Sequence, residues 1–311
     1  MYMQSNGLDM DNRIVYKTSL GSFYQGMAEE IISSPRFLEL HGKVNLIFTS
    51  PPFPLNRKKR YGNLQGEAYI SWLANFAPLF KEILHPDGSI VVEVGNSWEP
   101  GSPTMSTLPL RSLLEFLERG KLQLCQQFIY YNPARLPSPA QWVNIERIRV
   151  KDSFTSIWWM SPSIRPKASN RKILIEYSKA MKSLLKRQSY NSGKRPSEHN
   201  IGETSFLKNN NGAIPSNVIT LANNHANTSY LRYCKEHGLQ PHPARMPIGL
   251  SEFFIKFLTD EGDLVLDPFA GSNTTGYEAE KHGRRWISIE PNKDYILGSI
   301  GRFDNDTCLI S

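Results

Sequence analysis

The sequence predicts an α/β protein: a mostly parallel sheet with helices on both faces, interrupted by a smaller inserted domain. Three observations carry this. Short apolar strands alternate with helix-period segments through most of the chain, the pattern of a sheet covered on both sides. Val44-Asn45-Leu46-Ile47-Phe48 is apolar and β-prone, as a strand buried on both faces must be. Between Pro162 and about His237 the composition shifts to Lys, Arg, Asn, Ser and Gly, which reads as an irregular insertion. The expected division is 1–160, 161–238 for the insertion, and 239–311.

The elements follow in order. Residues 28–40 read as a short helix broken near Pro35, followed by a strand at 44–49. Ile70, Leu73, Phe76, Ala77, Phe80, Ile83 and Leu84 recur at helical spacing. Pro78 lies inside that pattern and should kink or split the helix. "HPDG" at 85–88 reads as a turn and 89–95 as a strand. A helix near 106–119 and strands near 122–131 and 154–160 complete the first part. After the insertion, Ser251 is expected to cap the helix "EFFIKFLTDEG". Strand "DLVLDPF", helix "NTTGYEAEKHG", strand "RRWISIE" and helix "PNKDYILGSIGRF" follow.

With 311 residues, 40% hydrophobic and 21% charged, the chain can bury a full core. Met1 to Lys17 is polar, without the apolar centre of a signal peptide, and no apolar run approaches the ~18 residues that span a bilayer. The three cysteines are far apart without CxxC spacing. No metal site and no disulfide framework are expected, and a reducing cytoplasm fits. The net charge of +7 and pI near 9.2 suggest a polyanionic partner. Between Arg165 and Arg195 ten Lys or Arg stand against one acid, Glu176, with Tyr177, Tyr190 and His199 interleaved. A second run, Arg57-Lys58-Lys59-Arg60, follows the first buried strand. A solvated surface would explain either run alone; both together favour nucleic acid. Arg57, Lys58, Lys59, Arg60, Arg195 and His199 are the candidate contacts.

"LVLDPFAGSNTTG", residues 264–276, is a strand entering a glycine turn and then a helix. Such a turn brings backbone amides and a helix start close to a ligand. No Gly-Lys-Ser/Thr follows, so it is not a phosphate loop. The next strand ends in Glu290, where doubly wound folds place a carboxylate against ribose hydroxyls. A ribose-bearing ligand without a required phosphate fits. The strand at 44–49 ends in Ser50-Pro51-Pro52-Phe53, and it should lie beside strand 263–267 where the sheet changes direction. Ser50 offers a hydroxyl acceptor and Pro51 a carbonyl. Pro52 stiffens the corner, and Phe53 presents a flat apolar face. This suits a planar base with an exocyclic amino group.

Ser50-Pro51-Pro52-Phe53 resembles the catalytic motif of amino-group DNA methyltransferases, and Asp267-Pro268-Phe269-Ala270-Gly271-Ser272 resembles their S-adenosylmethionine motif. The catalytic motif comes first, as in the circularly permuted β class. The likeness looks closest to its PvuII-type branch, which methylates cytosine N4. "RKKRYGNL", "NPARLPSPAQWVN", "RIRVKD", "KRPSEHNIG", "HPARMP" and "GSNTTG" extend it over nearly the whole chain. The resemblance implies a Rossmann-like methyltransferase sheet with an inserted target-recognition domain. It implies S-adenosylmethionine as cofactor, held by residues 267–274 (through Asn273 and Thr274), Glu290, Pro243 and Arg245. It also implies duplex DNA as partner, with a companion restriction endonuclease and a CAGCTG-like palindrome. A monomer in a prokaryotic cytoplasm, with no membrane contact, is expected. One departure stands out: Met27 follows Gly26 where the family carries an acid on the cofactor's adenosine side. Either Glu29 substitutes or that contact is missing.

The expected reaction moves a methyl group to N4 of a cytosine flipped from the duplex. Fixed acceptors at Ser50 and Pro51 would stabilise positive charge on the nitrogen. Adenine N6 methylation uses the same corner, more often with Asp or Asn in place of Ser50. Cytosine C5 methylation needs a cysteine nucleophile in a suitable loop, and none of the three cysteines follows a proline there. A DNA-binding protein that has lost catalysis is the reading from another class.

Overall fold

A computed structural model describes residues 13–54, 64–222, 228–303 and 309–310. In chain order the elements are β1 (Ile14–Lys17), β2 (Gly21–Gln25), α1 (Ala28–Ile32), α2 (Pro35–Leu38), β3 (Val44–Thr49), α3 (Gly66–Ile83), β4 (Leu84–Gly95), α4 (Leu108–Gly120), β5 (Gln123–Tyr131) and β6 (Phe154–Ser161). Then come α5 (Lys179–Arg187), β7 (Gly193–Lys194), β8 (Asn200–Ile201), β9 (Val218–Thr220), α6 (Thr228–Glu236), α7 (Ile248–Leu258), β10 (Leu264–Asp267), α8 (Thr274–Lys281), β11 (Arg285–Glu290), α9 (Lys293–Ser299) and β12 (Leu309–Ile310).

Among the described residues ten strands form one sheet, ordered β12-β1-β2-β11-β10-β3-β4-β6-β5-β9. Its centre, from β2 to β4, is parallel throughout. The strands near 122–131 and 154–160 pair antiparallel, β6 lying between β4 and β5. Leu46 and Ile47 of β3 pair with Val265 and Leu266 of β10, so the two special corners end side by side.

The strand β3 is apolar because both its faces are covered. Ile47 joins Leu73, Phe76 and Phe80 of α3 in one core, while Phe48 packs on Phe254 of α7, ring centroids 5.3 Å apart. A buried aromatic of this size gives up water on nearly its whole surface, which drives the layering.

Three local expectations are corrected. Pro78 does not split α3, which runs unbroken over Gly66–Ile83: it lies on the exposed side, while Ala74, Phe76, Ala77 and Phe80 are buried around it. Packing of that face outweighs the one hydrogen bond proline cannot make. "HPDG" is not a free turn but a bulge inside β4. Val44 pairs with Leu84 and Leu46 with Ser89, so β4 spends more residues than β3 over the same stretch. Ser251 does not cap α7, which starts three residues earlier after Pro247. Ser251 is fully buried, because Leu250 carries the apolar face back toward Pro247.

The described residues divide into two compact units, Ser169–Ser216 and the remainder. In the smaller one, α5 presents Lys179, Lys182, Lys186 and Arg187 as exposed side chains. Tyr190 packs edge-on against Phe206 at 5.3 Å. Residues 217–222 and 228–238 belong to the larger unit, where β9 pairs with β5.

Candidate functional site

The first corner is built where β3 ends. Thr49 is buried, and its hydroxyl donates to Asp267 Oδ1 at 2.7 Å. This ties the end of β3 to the end of β10. Ser50 follows, partly exposed, and its hydroxyl hydrogen-bonds the Glu93 carboxylate on β4. Thr155 of β6 donates to Glu93 Oε1 at 2.8 Å. Burial pushes Glu93 above the usual carboxylate range, opposed by the Thr155 and Ser50 bonds and the Arg135 charge. Phe53 rests on Gly95, the last residue of β4. A Cβ added to Gly95 would lie 2.4 Å from Phe53 Cδ2, so the ring needs a glycine beneath it.

The second corner is the turn from β10 to α8. Asp267 is buried, and its carboxylate accepts from Thr49, from Thr275 Oγ1 at 2.7 Å and from the Phe269 amide at 3.1 Å. Burial nevertheless raises it to about 6. Gly271 sits at φ +50, where a side chain would be strained. Its amide donates to Glu290 Oε2 at 3.1 Å, and the Asn292 amide donates to Oε1 at 3.0 Å. Burial pushes Glu290 up to about 7, helped by the nearby Asp267 and countered by those two amides. Pro268 and Ala270 are walls of the turn, and both are buried.

Several residues expected at the ligand make bonds within the protein around the turn. Asn273 is fully buried. Its Oδ1 accepts from the Gly276 amide at 3.2 Å and from Ser288 Oγ at 2.7 Å, and its Nδ2 donates to the Tyr16 hydroxyl at 2.8 Å. Ser272 is clamped by Arg302, whose Nη2 donates to Ser272 Oγ at 3.0 Å and whose Nε donates to its carbonyl at 2.5 Å. Pro243 is exposed, and Arg245 uses Nη1 on the His242 carbonyl at 2.6 Å. The side chain against the turn is His242: a Cβ on Gly271 would lie 3.0 Å from its Nε2. Burial, then the Arg245 and Arg302 charges, lower His242 to about 4, so it is neutral at pH 7. The Thr274 hydroxyl is buried at the turn without a hydrogen-bond partner among the described residues.

Phe269 closes the corner on the α3 side, 5.6 Å from Trp72 and 5.2 Å from Phe76. Trp72 donates its indole N–H to Glu29 Oε1 at 2.6 Å, and the other Glu29 oxygen is buried without a partner among the described residues. Met27 has a side chain nearly half exposed. A carboxylate is therefore present beside the Phe269 wall, from Glu29.

Sequence reasoning singles out none of Glu93, His242 and Arg302, which the structure brings to the two corners. "HPARMP" is singled out for Pro243 and Arg245, not for His242. Arg195 and His199 come together in the turn between β7 and β8, the Arg195 amide donating to the His199 carbonyl at 2.8 Å. Arg57, Lys58, Lys59 and Arg60 lie outside the described residues. Glu252, Glu278 and His282 bring possible metal ligands within 4.8 Å of one another. Lys256 and Lys281 already pair with the two carboxylates, so that group balances its charge without an ion. Among the described residues no helix is long and apolar enough to cross a membrane.

The geometry fits a ribose-bearing ligand held by Glu290 and the Gly271 turn, with a planar substrate at Ser50 and Phe53. Residues 44–300 match a family model described as DNA methylase. The chain is 42% identical over 308 residues to the Type II methyltransferase M.PvuII of Proteus hauseri, covering 98% of this chain and 90% of that protein. The solved structure of PvuII DNA methyltransferase (cytosine-N4-specific) superposes with a TM-score of 0.73 at 38% identity, covering 93% of this chain and 89% of that one. An M1.HpyAVI–SAM complex shares the fold, with a TM-score of 0.52 at 21% identity, covering 91% of this chain and 98% of that one.

Proposed function

The chain belongs to the DNA methylase family, and we propose that its Ser50–Phe53 corner receives a cytosine extruded from duplex DNA and directs its N4 amino group at the cofactor. The enzyme is an S-adenosylmethionine-dependent, cytosine-N4-specific DNA methyltransferase. The observation that carries the assignment of residues is the 2.7 Å bond from Thr49 to Asp267, which fixes the base corner against the ribose corner. The buried Thr274 hydroxyl, the Glu290 carboxylate and the Gly271 turn fit the cofactor. Glu290 would accept from its ribose, Phe269 would line its adenosine, and Glu29 would supply the acid absent at Met27. Bound there, S-adenosylmethionine supplies an electrophilic methyl group on a sulfonium.

The chain's own residues handle the nitrogen. Because Ser50 spends its proton on Glu93, its lone pairs are free to accept from the N4 amino group, with the Pro51 carbonyl as second acceptor. Both interactions strengthen as N4 becomes positive, so they act mainly in the transition state. Once the N4–C bond had formed as the methyl–sulfur bond broke, the sulfur keeping the electron pair as a neutral thioether, N4 would carry one proton too many. That proton passes to the Ser50 oxygen while the Ser50 proton passes to Glu93, leaving a neutral methylated base. A carboxylate whose affinity for protons is raised by burial suits this role. Asp267 and Asn273 would act by shaping the turn.

This reading extends to a restriction-modification role, with a companion endonuclease cutting the unmethylated site, and to a monomer acting in the cytoplasm. The type II relative supports the first. Arg195, His199 and the Arg57–Arg60 run would meet the DNA. The test is to incubate the protein with methyl-labelled S-adenosylmethionine and duplex DNA, digest to nucleosides and identify the product. N4-methylcytosine is expected; N6-methyladenine would overturn the base assignment.

A further inference from the structure

The loop joining β5 to β6 is firmly tied yet displays apolar side chains to solvent. Its two passes run together. The Asp152 amide donates to the Ser138 carbonyl at 2.9 Å, and Lys151 Nζ donates to the Pro133 carbonyl at 2.9 Å. Asn96, just beyond β4, donates to Asp152 Oδ1 at 2.8 Å. On these passes Leu136 is 81% and Val150 is 86% exposed. A loop fixed by this many bonds cannot fold such residues inward, and their exposure serves no packing of the chain itself.

The loop starts from the catalytic corner. Arg135, next to Leu136, donates to the Phe154 carbonyl at 3.0 Å, and its charge acts on Glu93. Phe154 precedes Thr155, which bonds Glu93, which bonds Ser50. The two apolar tips thus stand one short relay from the acceptor that meets the flipped base.

Charge identifies the occupant. Arg135, Arg147, Arg149 and Lys151 lie on the same loop, and none pairs with a carboxylate among the described residues. Arg149 and Lys151 bond backbone carbonyls instead, which leaves their charge uncompensated, while Arg135 bonds the Phe154 carbonyl and its charge acts on Glu93. An apolar tip ringed by uncompensated cations matches a base stack flanked by phosphates. A second copy of this chain would bring the same cations together.

On the reading that this enzyme extrudes its target base, we propose that Leu136 and Val150 form a wedge that enters the gap left in the duplex and delays the base's return. Extrusion leaves two unstacked base faces, and an apolar side chain between them replaces the missing stacking.

The test uses a duplex carrying a sequence that the wild-type enzyme methylates, with a fluorescent cytosine analogue at the target position. Its emission rises when the base leaves the stack. Leu136→Ala with Val150→Ala should lower the emission rise and kcat about tenfold, because the stack closes unaided, with cofactor affinity and thermal melting unchanged. An abasic site opposite the target, which removes the partner base, should restore the variant's emission. An unchanged emission rise in the folded double variant would overturn the wedge, as would a dimeric wild type that becomes monomeric on substitution. A wild type that methylates no duplex at all would instead sink the underlying reading.

Discussion

The Ser50 hydroxyl is hydrogen-bonded to a carboxylate, Glu93, that is buried inside the sheet and also held by Thr155. A serine at this corner could donate to the incoming amine or accept from it. Ionised Glu93 decides between them, because a carboxylate can only accept from Ser50. On the proposed reading Ser50 then faces the substrate with lone pairs. Glu93→Gln replaces the acceptor with a group that can donate, and it should lower kcat about a hundredfold, within the usual reach of proton-transfer catalysis. The KM values for cofactor and DNA should barely change. Equal losses in kcat and in DNA affinity would mean that Glu93 only holds the fold.

The same pair sets a pH dependence. Burial raises Glu93, and the reaction needs its ionised form. Activity should therefore fall as pH drops through that raised value, an acid limb lying higher than an ordinary glutamate would give. Glu93→Asp should keep an acid limb at reduced rate, and Glu93→Gln should abolish it. A wild-type rate flat from pH 8 down to the ordinary glutamate range would contradict the relay.

Glu290 predicts opposite trends for folding and binding. With its carboxyl pushed up to about 7, the folded chain holds a proton that the unfolded chain releases near 4.5. Relative to Glu290→Gln, the cofactor-free protein should lose stability as pH rises from about 4.5 through about 7. Cofactor binding, which uses the ionised form, should weaken as pH falls below about 7. Calorimetric titration with S-adenosylmethionine at pH 8, 7 and 6 checks this. A pH-independent affinity would remove Glu290 from the ribose.

Legibility followed how local each feature is. Ser50–Phe53 and the turn at 267–276 are continuous in sequence and end strands whose burial is evident from composition, so their adjacency could be anticipated. Glu93 could not be assigned that way. In "SIVVEVG" it reads as an ordinary residue of a strand, and its partner Thr155 comes from β6, 62 residues later. Arg302 looks like a solvated end of the last helix until Ser272 is brought to it. Pro78 misled because proline's cost is local whereas the packing that absorbs it comes from the whole face of α3.

Glu29 should matter to the cofactor although it occupies no motif position. Its carboxylate bonds Trp72, which packs on Phe269. Glu29→Gln should weaken S-adenosylmethionine binding by about 1.5–3 kcal/mol, the scale of a hydrogen bond to a charged group. Trp72 fluorescence should shift on cofactor addition in the wild type and much less in the variant. Unchanged affinity would mean that the adenosine-side acid is absent from this enzyme, as Met27 alone suggests.

The smaller unit offers a test of DNA binding that leaves both corners intact. Lys179, Lys186 and Arg187 project from α5 as exposed side chains without a carboxylate partner among the described residues, whereas Lys182 is paired with Glu176. Helical spacing sets Lys179 and Lys186 two turns apart on one side, as a surface tracking phosphates requires. Removing one cation that meets a phosphate should reduce the slope of log affinity against log salt by about 0.9. Replacing the three cations by Gln should lower the slope by up to about 2.7 if all three meet phosphates, and affinity should fall similarly for cognate and unrelated duplexes. Lys182→Gln should change the slope less, because Glu176 already neutralises it. A triple variant with the wild-type slope would place the DNA elsewhere, while a loss of affinity confined to the cognate duplex would make α5 a reader of bases rather than of phosphates.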